Sequence, residues 1–257
     1  MSTLAPAPSP PSGRKDHFSP RGYLRGFIHR NRADLPKPLW VQDAPARQWH
    51  ERSAKEFGYI RGLYDYADPA SAVGSAEDAF KRPENDFPTA RDTVRHDGYE
   101  TWPSHRDEFI QFAAMLSART PMFIDQAKAT PPPHISSPAD LQDHAIDSMR
   151  AEISDRFKRW RNLHWVLRYT TDPDNAVTTG DHCIGVDGKA PTLEEAFSHP
   201  ETTVFFPLSW DMALFGAPVP ISPVTARFLS HDLERLREFV FKQAQSFLVA
   251  TVPLFFK

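Results

Sequence analysis

The sequence predicts an α+β protein, and the order of its patterns is what predicts it. Helical spacing of apolar residues prevails up to Trp160, β-prone runs gather from His164 onward, and one more helical stripe closes the chain. The regular alternation of strand and helix that marks a doubly wound sheet does not occur. The expected architecture is a helical N-terminal and middle part packed on a small, mainly antiparallel sheet, with a closing C-terminal helix.

A chain of 257 residues can bury a sizeable core and still be one domain, because single cores stop growing only near roughly 250–300 residues. The expected division is a Pro/Ala/Ser-rich disordered tail over 1–15 and one globular domain over 16–257. The 25 prolines are about twice the usage expected from an average of roughly 5%. Those in Met1–Ser12 lie among small residues that cannot bury enough surface to offset ordering. Those in Pro131-Pro132-Pro133 and in Asp34-Leu35-Pro36-Lys37-Pro38 mark connections.

The net charge of -3 is small and the signs alternate, so charge selects neither nucleic acid nor an anionic membrane as partner, and nucleic acid is not excluded. A single cysteine, Cys183, forms no internal disulfide and no cysteine-rich zinc module, which suits a reducing cytoplasm. The longest apolar run, Phe247 to Phe256, is broken by Thr251 and Pro253 and falls short of the roughly 20 residues of a membrane span. The start of the chain lacks the basic and apolar pattern of a secretory signal. A cytoplasmic protein with no membrane partner is expected.

Element by element, Pro20 to His29 reads as a short helix with Ser19 as N-cap and Tyr23, Leu24 and Phe27 at helical spacing. Leu39–Asp43 reads as a strand at a sheet edge. Ser53 and Glu56 have the spacing of a capping box, ahead of a helical face of Phe57, Ile60 and Tyr64. The charged stretch Arg82 to Arg95 looks too poor in apolar residues for core and is expected to be a loop or a solvated helix. Ser104 caps a helix bearing Phe109, Phe112, Ala113 and Leu116, and Ser137-Pro138 starts another whose inner face holds Ile146, Met149, Ile153, Phe157 and Trp160. His164–Thr171 and Ala176–Thr179 flank Asp172-Pro173-Asp174-Asn175 as a hairpin. Thr202–Leu208 and Asp211–Phe215 are further strands, and Ser230 caps a helix running to Phe247.

Several blocks occur in an order that resembles a known family. They are His17, Pro20, Tyr23, Leu24 and Phe27; Phe57 to Tyr64; Arg119-Thr120-Pro121; Thr179-Gly180-Asp181-His182-Cys183-Ile184; and Phe206-Pro207-Leu208-Ser209. The chain resembles domain-of-unknown-function family 4238 across most of His17 to Phe256. It departs from that pattern twice, with Asp16 where members often carry the first of two histidines and His182-Cys183 where Asn-Pro is usual. The resemblance implies a fold and candidate positions, and it implies no activity.

Chemistry therefore rests on the residues. His17 is an acid, base or metal-ligand candidate that the family pattern also singles out, or a residue that fixes the start of the folded chain. Asp181, after a strand and Gly180, is placed to meet a ligand or to bond turn amides. Arg119 at a helix end can hold an anion, cap its own helix, or pair with Asp181. Tyr23, Thr179 and His182 are candidate binding residues, and Tyr23 and Tyr64 read equally as core aromatics. Cys183 reads as a strand thiol. The cluster Arg156, Lys158, Arg159 and Arg161 is a solvated helix face or a phosphate contact. No phosphate-binding Gly-Lys-Ser/Thr loop, dinucleotide glycine fingerprint, nucleophile elbow or His-Glu-x-x-His motif is present.

Two functions follow. One is a hydrolase, phosphodiester-directed, in which His17 is acid or base, Arg119 holds an anion and Asp181 orients it; a divalent metal, if used, would be held by His17 and Asp181. The other is a non-catalytic binding or interaction module in which the same residues form a structural polar network.

Overall fold

The computed structural model describes residues 15–43, 46–67, 76–187 and 199–253. Along the chain, β1 (Lys15–His17), α1 (Arg21–Arg25), β2 (Leu39–Asp43), β3 (Gln48–Arg52) and β4 (Tyr59–Arg61) come first. The helices α2 (Ala76–Asp97), α3 (Arg106–Ala118), α4 (Pro121–Ala129) and α5 (Pro138–Trp160) follow. The last part holds β5 (His164–Tyr169), β6 (Thr179–Gly180), β7 (Gly185–Asp187), β8 (Thr203–Ser209), β9 (Met212–Ala217), β10 (Thr225–Arg227), α6 (Ser230–Gln243) and β11 (Phe247–Ala250). The class is α+β, as the sequence predicts.

The strands make a 5-stranded sheet in the order β10-β5-β9-β8-β7, a 4-stranded sheet in the order β3-β2-β11-β6, and the ribbon β1-β4. The ladders are antiparallel apart from the parallel pair of β10 with β5. The N-terminal part is thus strand-rich rather than helical. Its strands are short and interrupted by turns, so helical spacing in the sequence there arose from side chains that belong to different elements.

The core forms where α1, α2, α3 and β8 meet. Phe87 of α2 stacks on Phe112 of α3 with ring centroids 3.9 Å apart, and Tyr23 of α1 lies 5.8 Å from Phe206 of β8 in a parallel stack. Each fully buried aromatic contributes about 1.5–3 kcal/mol by leaving water. Such contact requires α1 to approach closely. A Cβ on Gly22 would sit 3.1 Å from the Pro88 side chain, and one on Gly26 would sit 3.1 Å from the Leu208 carbonyl. Pro207 lies inside β8, where it has no N–H to give the ladder. A register irregularity against β9 falls between Pro207 and Ser209, as expected for an interior proline.

Several expectations need correction. Helix α1 ends at Arg25, its N-cap is Pro20, and no side chain caps it; the Ser19 N–H bonds Gly58 O instead. Strand β2 is internal, flanked by β3 and β11. Ser53 N–H donates to Glu56 Oε2 at 2.9 Å, which is half of the expected capping box, yet only a turn follows. Gly58 and Gly62 have φ of +69° and +67° on either side of β4, which stops a helix there.

The charged stretch Arg82–Arg95 is helical with a solvated outer face, the second of the two expectations, yet it also contributes to the core. It lies within α2, and Phe80, Phe87, Ala90 and Val94 are buried because the few apolar residues all fall on one face. His105 rather than Ser104 takes the N-cap position of α3, and its side chain makes no cap hydrogen bond. The expected hairpin does not form, since β5 pairs with β9 and β10 whereas β6 joins the other sheet. Leu229 takes the N-cap position of α6, and Phe247 belongs to β11. Ser137 caps α5 as expected, accepting from Asp140 N–H. Of the predicted tail over 1–15, all but Lys15 lies outside the described residues. Among the described residues no helix is long and apolar enough to cross a membrane.

Candidate functional site

Successive residues of a strand point to opposite faces, and β1 uses this strictly. Asp16 is buried and its Oδ2 accepts the Tyr64 N–H at 3.0 Å. Lys15 and His17 share the other face with Tyr59 of β4; the Lys15 ammonium lies 4.1 Å from the Tyr59 ring centre and the His17 ring 5.4 Å from it. The Arg21 Nε–H donates to His17 Nε2 at 3.3 Å, so this nitrogen must be the unprotonated one. Burial, and then the charges of Arg21, Arg119 and Lys15, hold the His17 pKa below its ordinary value of 6.5.

Arg119 is 3% exposed. Its guanidinium pairs with Glu84 of α2 and lies over the rings of Phe80 and Tyr64, 4.0 and 5.1 Å from their centres. The Arg119 carbonyl accepts the Tyr64 hydroxyl at 3.1 Å. The expected Arg119–Asp181 pair is not made, because Asp181 is committed elsewhere. Its Oδ1 accepts Gln245 N–H at 3.0 Å and its Oδ2 accepts Ser246 N–H at 2.7 Å, while its own N–H donates to Phe247 O at 3.3 Å. Asp181 therefore clasps the connection between α6 and β11.

Tyr23 and Thr179 are brought together. The Tyr23 hydroxyl donates to Pro207 O at 2.9 Å, which leaves the Thr179 hydroxyl as donor in their 2.7 Å contact. Burial raises the Tyr23 pKa well above 10.0. His182 is half-buried after Asp181, and Cys183 is buried with its thiol pushed up to about 12 by that burial. A core contact connects the neighbourhoods of His17 and Asp181: Phe18 packs 6.0 Å from Phe247, whose carbonyl accepts the Asp181 N–H. The basic cluster on α5 is paired locally, with Arg156 and Arg159 on Glu152, Lys158 on Asp155 and Arg161 on Asp107.

Two features escaped the sequence reading. The first is Asp211, fully buried in the β8–β9 turn, which accepts two bonds from Arg95 at 2.7 and 2.8 Å, one from Tyr99 at 3.0 Å and one from Ser209 at 2.6 Å. Arg95 and Tyr99 are four residues apart at a helix end, which is a usable signal only once their partner is known. The second is an open groove of about 560 Å³ whose lining includes Arg21, Arg25, Ile28, Leu35, Pro36 and Lys55. Here the signal is in the sequence, in the i,i+4 pair Arg21 and Arg25 with no acid between them. His17, Arg119 and Asp181 do not line this groove; Arg21, which does, bonds His17.

The match to a family model decides kinship. It runs over residues 15–250 and is described as Protein of unknown function (DUF4238). The chain belongs to the DUF4238 family. No curated protein and no solved structure matches it significantly. For this DUF4238 chain, four of the five blocks that carried the resemblance lie on α1, β8, β6 and the β1–β4 ribbon, and the fifth, Arg119-Thr120-Pro121, joins α3 to α4. Among the described residues no group of three or more His, Cys, Asp or Glu side chains is arranged to hold a metal ion.

Two histidines give this chain a pH-dependent stability. His29 accepts Asn31 N–H at Nδ1, packs edge-on to Trp210, and is held below 6.5 by burial and then by Arg30. A histidine held down in the folded state takes its proton later than in the unfolded chain. The histidine contribution to stability should therefore be fully present above pH 6.5 and be lost as the pH falls through the folded pKa values. Urea unfolding from about pH 8 to about pH 5 should show this decline, and His17→Gln with His29→Gln should flatten it. A decline confined to the carboxylate range, near pH 4, would contradict it.

Proposed function

We propose that this protein is a non-catalytic binding module and that its ligand meets the groove between α1, the 33–38 segment and the turn at 53–55. The observation that carries this reading is the engagement of Asp181, whose two carboxylate oxygens each accept a backbone N–H of the α6–β11 connection. A carboxylate spent in this way holds two pieces of backbone together. Arg119 supports the same reading, since an anion site would have to displace Glu84 and the aromatic rings that cover its guanidinium. Tyr23 and Thr179 satisfy each other and the Pro207 carbonyl.

The test is turnover. Wild type and His17→Ala, with folding checked by thermal melting, are assayed on phosphodiesters, phosphomonoesters, esters and peptides with and without added divalent metal. The expected result is no turnover above buffer for either chain. Turnover by wild type that vanishes in a folded His17→Ala would replace this reading with the hydrolase, with His17 as acid or base.

A further inference from the structure

Three cations gather around one groove whose lining holds no carboxylate. Several exposed cations elsewhere are matched, as in Arg82 with Asp86, Arg159 with Glu152 and Lys242 with Glu238. Arg21, Arg25 and Lys55 line one groove and have no carboxylate partner among the described residues. Three unmatched positive charges facing one space attract an anion.

The space between those charges is apolar. Ile28, Leu35, Pro36 and Ala54 line it, and Leu35 is 44% exposed. Its wall is fixed by Arg32, whose Nε–H donates to Pro38 O at 2.9 Å while the same guanidinium holds Glu51. Arg21 is aimed in turn by its bond to His17, which uses Nε and leaves the terminal nitrogens for a ligand. A fixed wall and an aimed guanidinium reduce the ordering that binding would otherwise require.

We propose that the groove binds an acidic peptide segment of a partner protein that also carries aliphatic side chains. Its carboxylates meet Arg21, Arg25 and Lys55, and its aliphatic groups cover Leu35 and Ile28. The charge pattern alone would equally suit a nucleic-acid strand. The lining favours the peptide, because none of its residues is aromatic, and single strands are held by stacking bases on aromatic rings as well as by charge. An aliphatic, proline-lined floor instead complements apolar side chains. This proposal rests on the binding-module reading and specifies its ligand.

The experiment uses the full chain and a fluorescein-labelled synthetic peptide of glutamate pairs separated by single leucines. Controls replace every Glu by Gln or every Leu by Ser, and labelled oligo-dT is titrated in parallel. Anisotropy should show saturable binding of the Glu/Leu peptide, and binding should drop by about tenfold or more for Arg25→Glu and for Leu35→Asp, the scale of about 1.4 kcal/mol. Both positions are exposed, so the melting temperature should not move. Binding that survives Leu35→Asp, or failure of the peptide to bind, overturns the proposal. If oligo-dT binds through Arg25 while the peptide does not, the peptide class falls and the binding-module reading stands. His17-dependent turnover is the separate result that removes the module reading itself.

Discussion

Asp211→Ala should destabilise the protein by about 3 kcal/mol, at the lower end of the roughly 3–5 kcal/mol lost when one partner of a buried ion pair is removed. The carboxylate has no exposure and four side-chain bonds converge on it. Removing it leaves the Tyr99 and Ser209 hydroxyls and the Arg95 guanidinium without their acceptor. The lower end applies because the Arg95 side chain is 33% exposed and also touches Asp92, so water and a neighbour compensate in part. The backbone consequences are local too. Asp211 O accepts Thr170 N–H and Trp210 O accepts Val177 N–H, so loss of the turn also loosens the exits from β5 and into β6. Urea unfolding followed by tryptophan fluorescence reads the loss. A change within about 0.5 kcal/mol, typical of surface substitutions, would show that the convergence contributes little.

The second large effect belongs to Asp181→Ala, which should cost about 2–4 kcal/mol. Two bonds to an ionised acceptor contribute about 1.5–3 kcal/mol each, and water reaching the exposed ends of Gln245 and Ser246 offsets part of the loss. Asp181→Asn keeps one acceptor oxygen and sets an NH2 group against the other amide, so about half of the effect should remain. The loss should be regional as well as global, with faster amide hydrogen exchange across β11 and β6 than across β5 and β9. Unchanged stability in Asp181→Ala would mean that the carboxylate is free for a ligand, and the catalytic assignment of Asp181 would regain its support.

The class and the helices α3 and α5 were legible because their signals are local. Ser137-Pro138 announces α5, and Phe109, Phe112 and Leu116 announce the buried face of α3. What was not legible depends on partners distant in sequence. Tyr23 meets Thr179 and Pro207 across 156 and 184 residues, and nothing near Tyr23 encodes either. The turn at Ser53–Glu56 shows why a capping pattern alone misleads, since the glycines at 58 and 62 decide whether a helix can follow. Helix α2 was misread for the opposite reason. Charged and polar residues outnumber apolar ones along it, but Phe80, Phe87 and Val94 are placed so that one narrow stripe suffices. At the site, the histidine and the arginine that the sequence singled out lie near enough for one charge to act on the other, whereas the acid belongs to a different junction.

The position of β11 has a consequence for how the chain can be made. This strand, the last described along the chain, lies between β2 from the first part and β6 from the middle, with Val249 opposite both Val41 and Thr179. On a ribosome, β2 and β6 emerge long before the strand that must separate them. Until then β2 has β3 on one side only, and its other edge is open to any passing strand. The sheet closes only once β11 is available, in one late, long-range step, when the insertion of a wedge completes two neighbours at once.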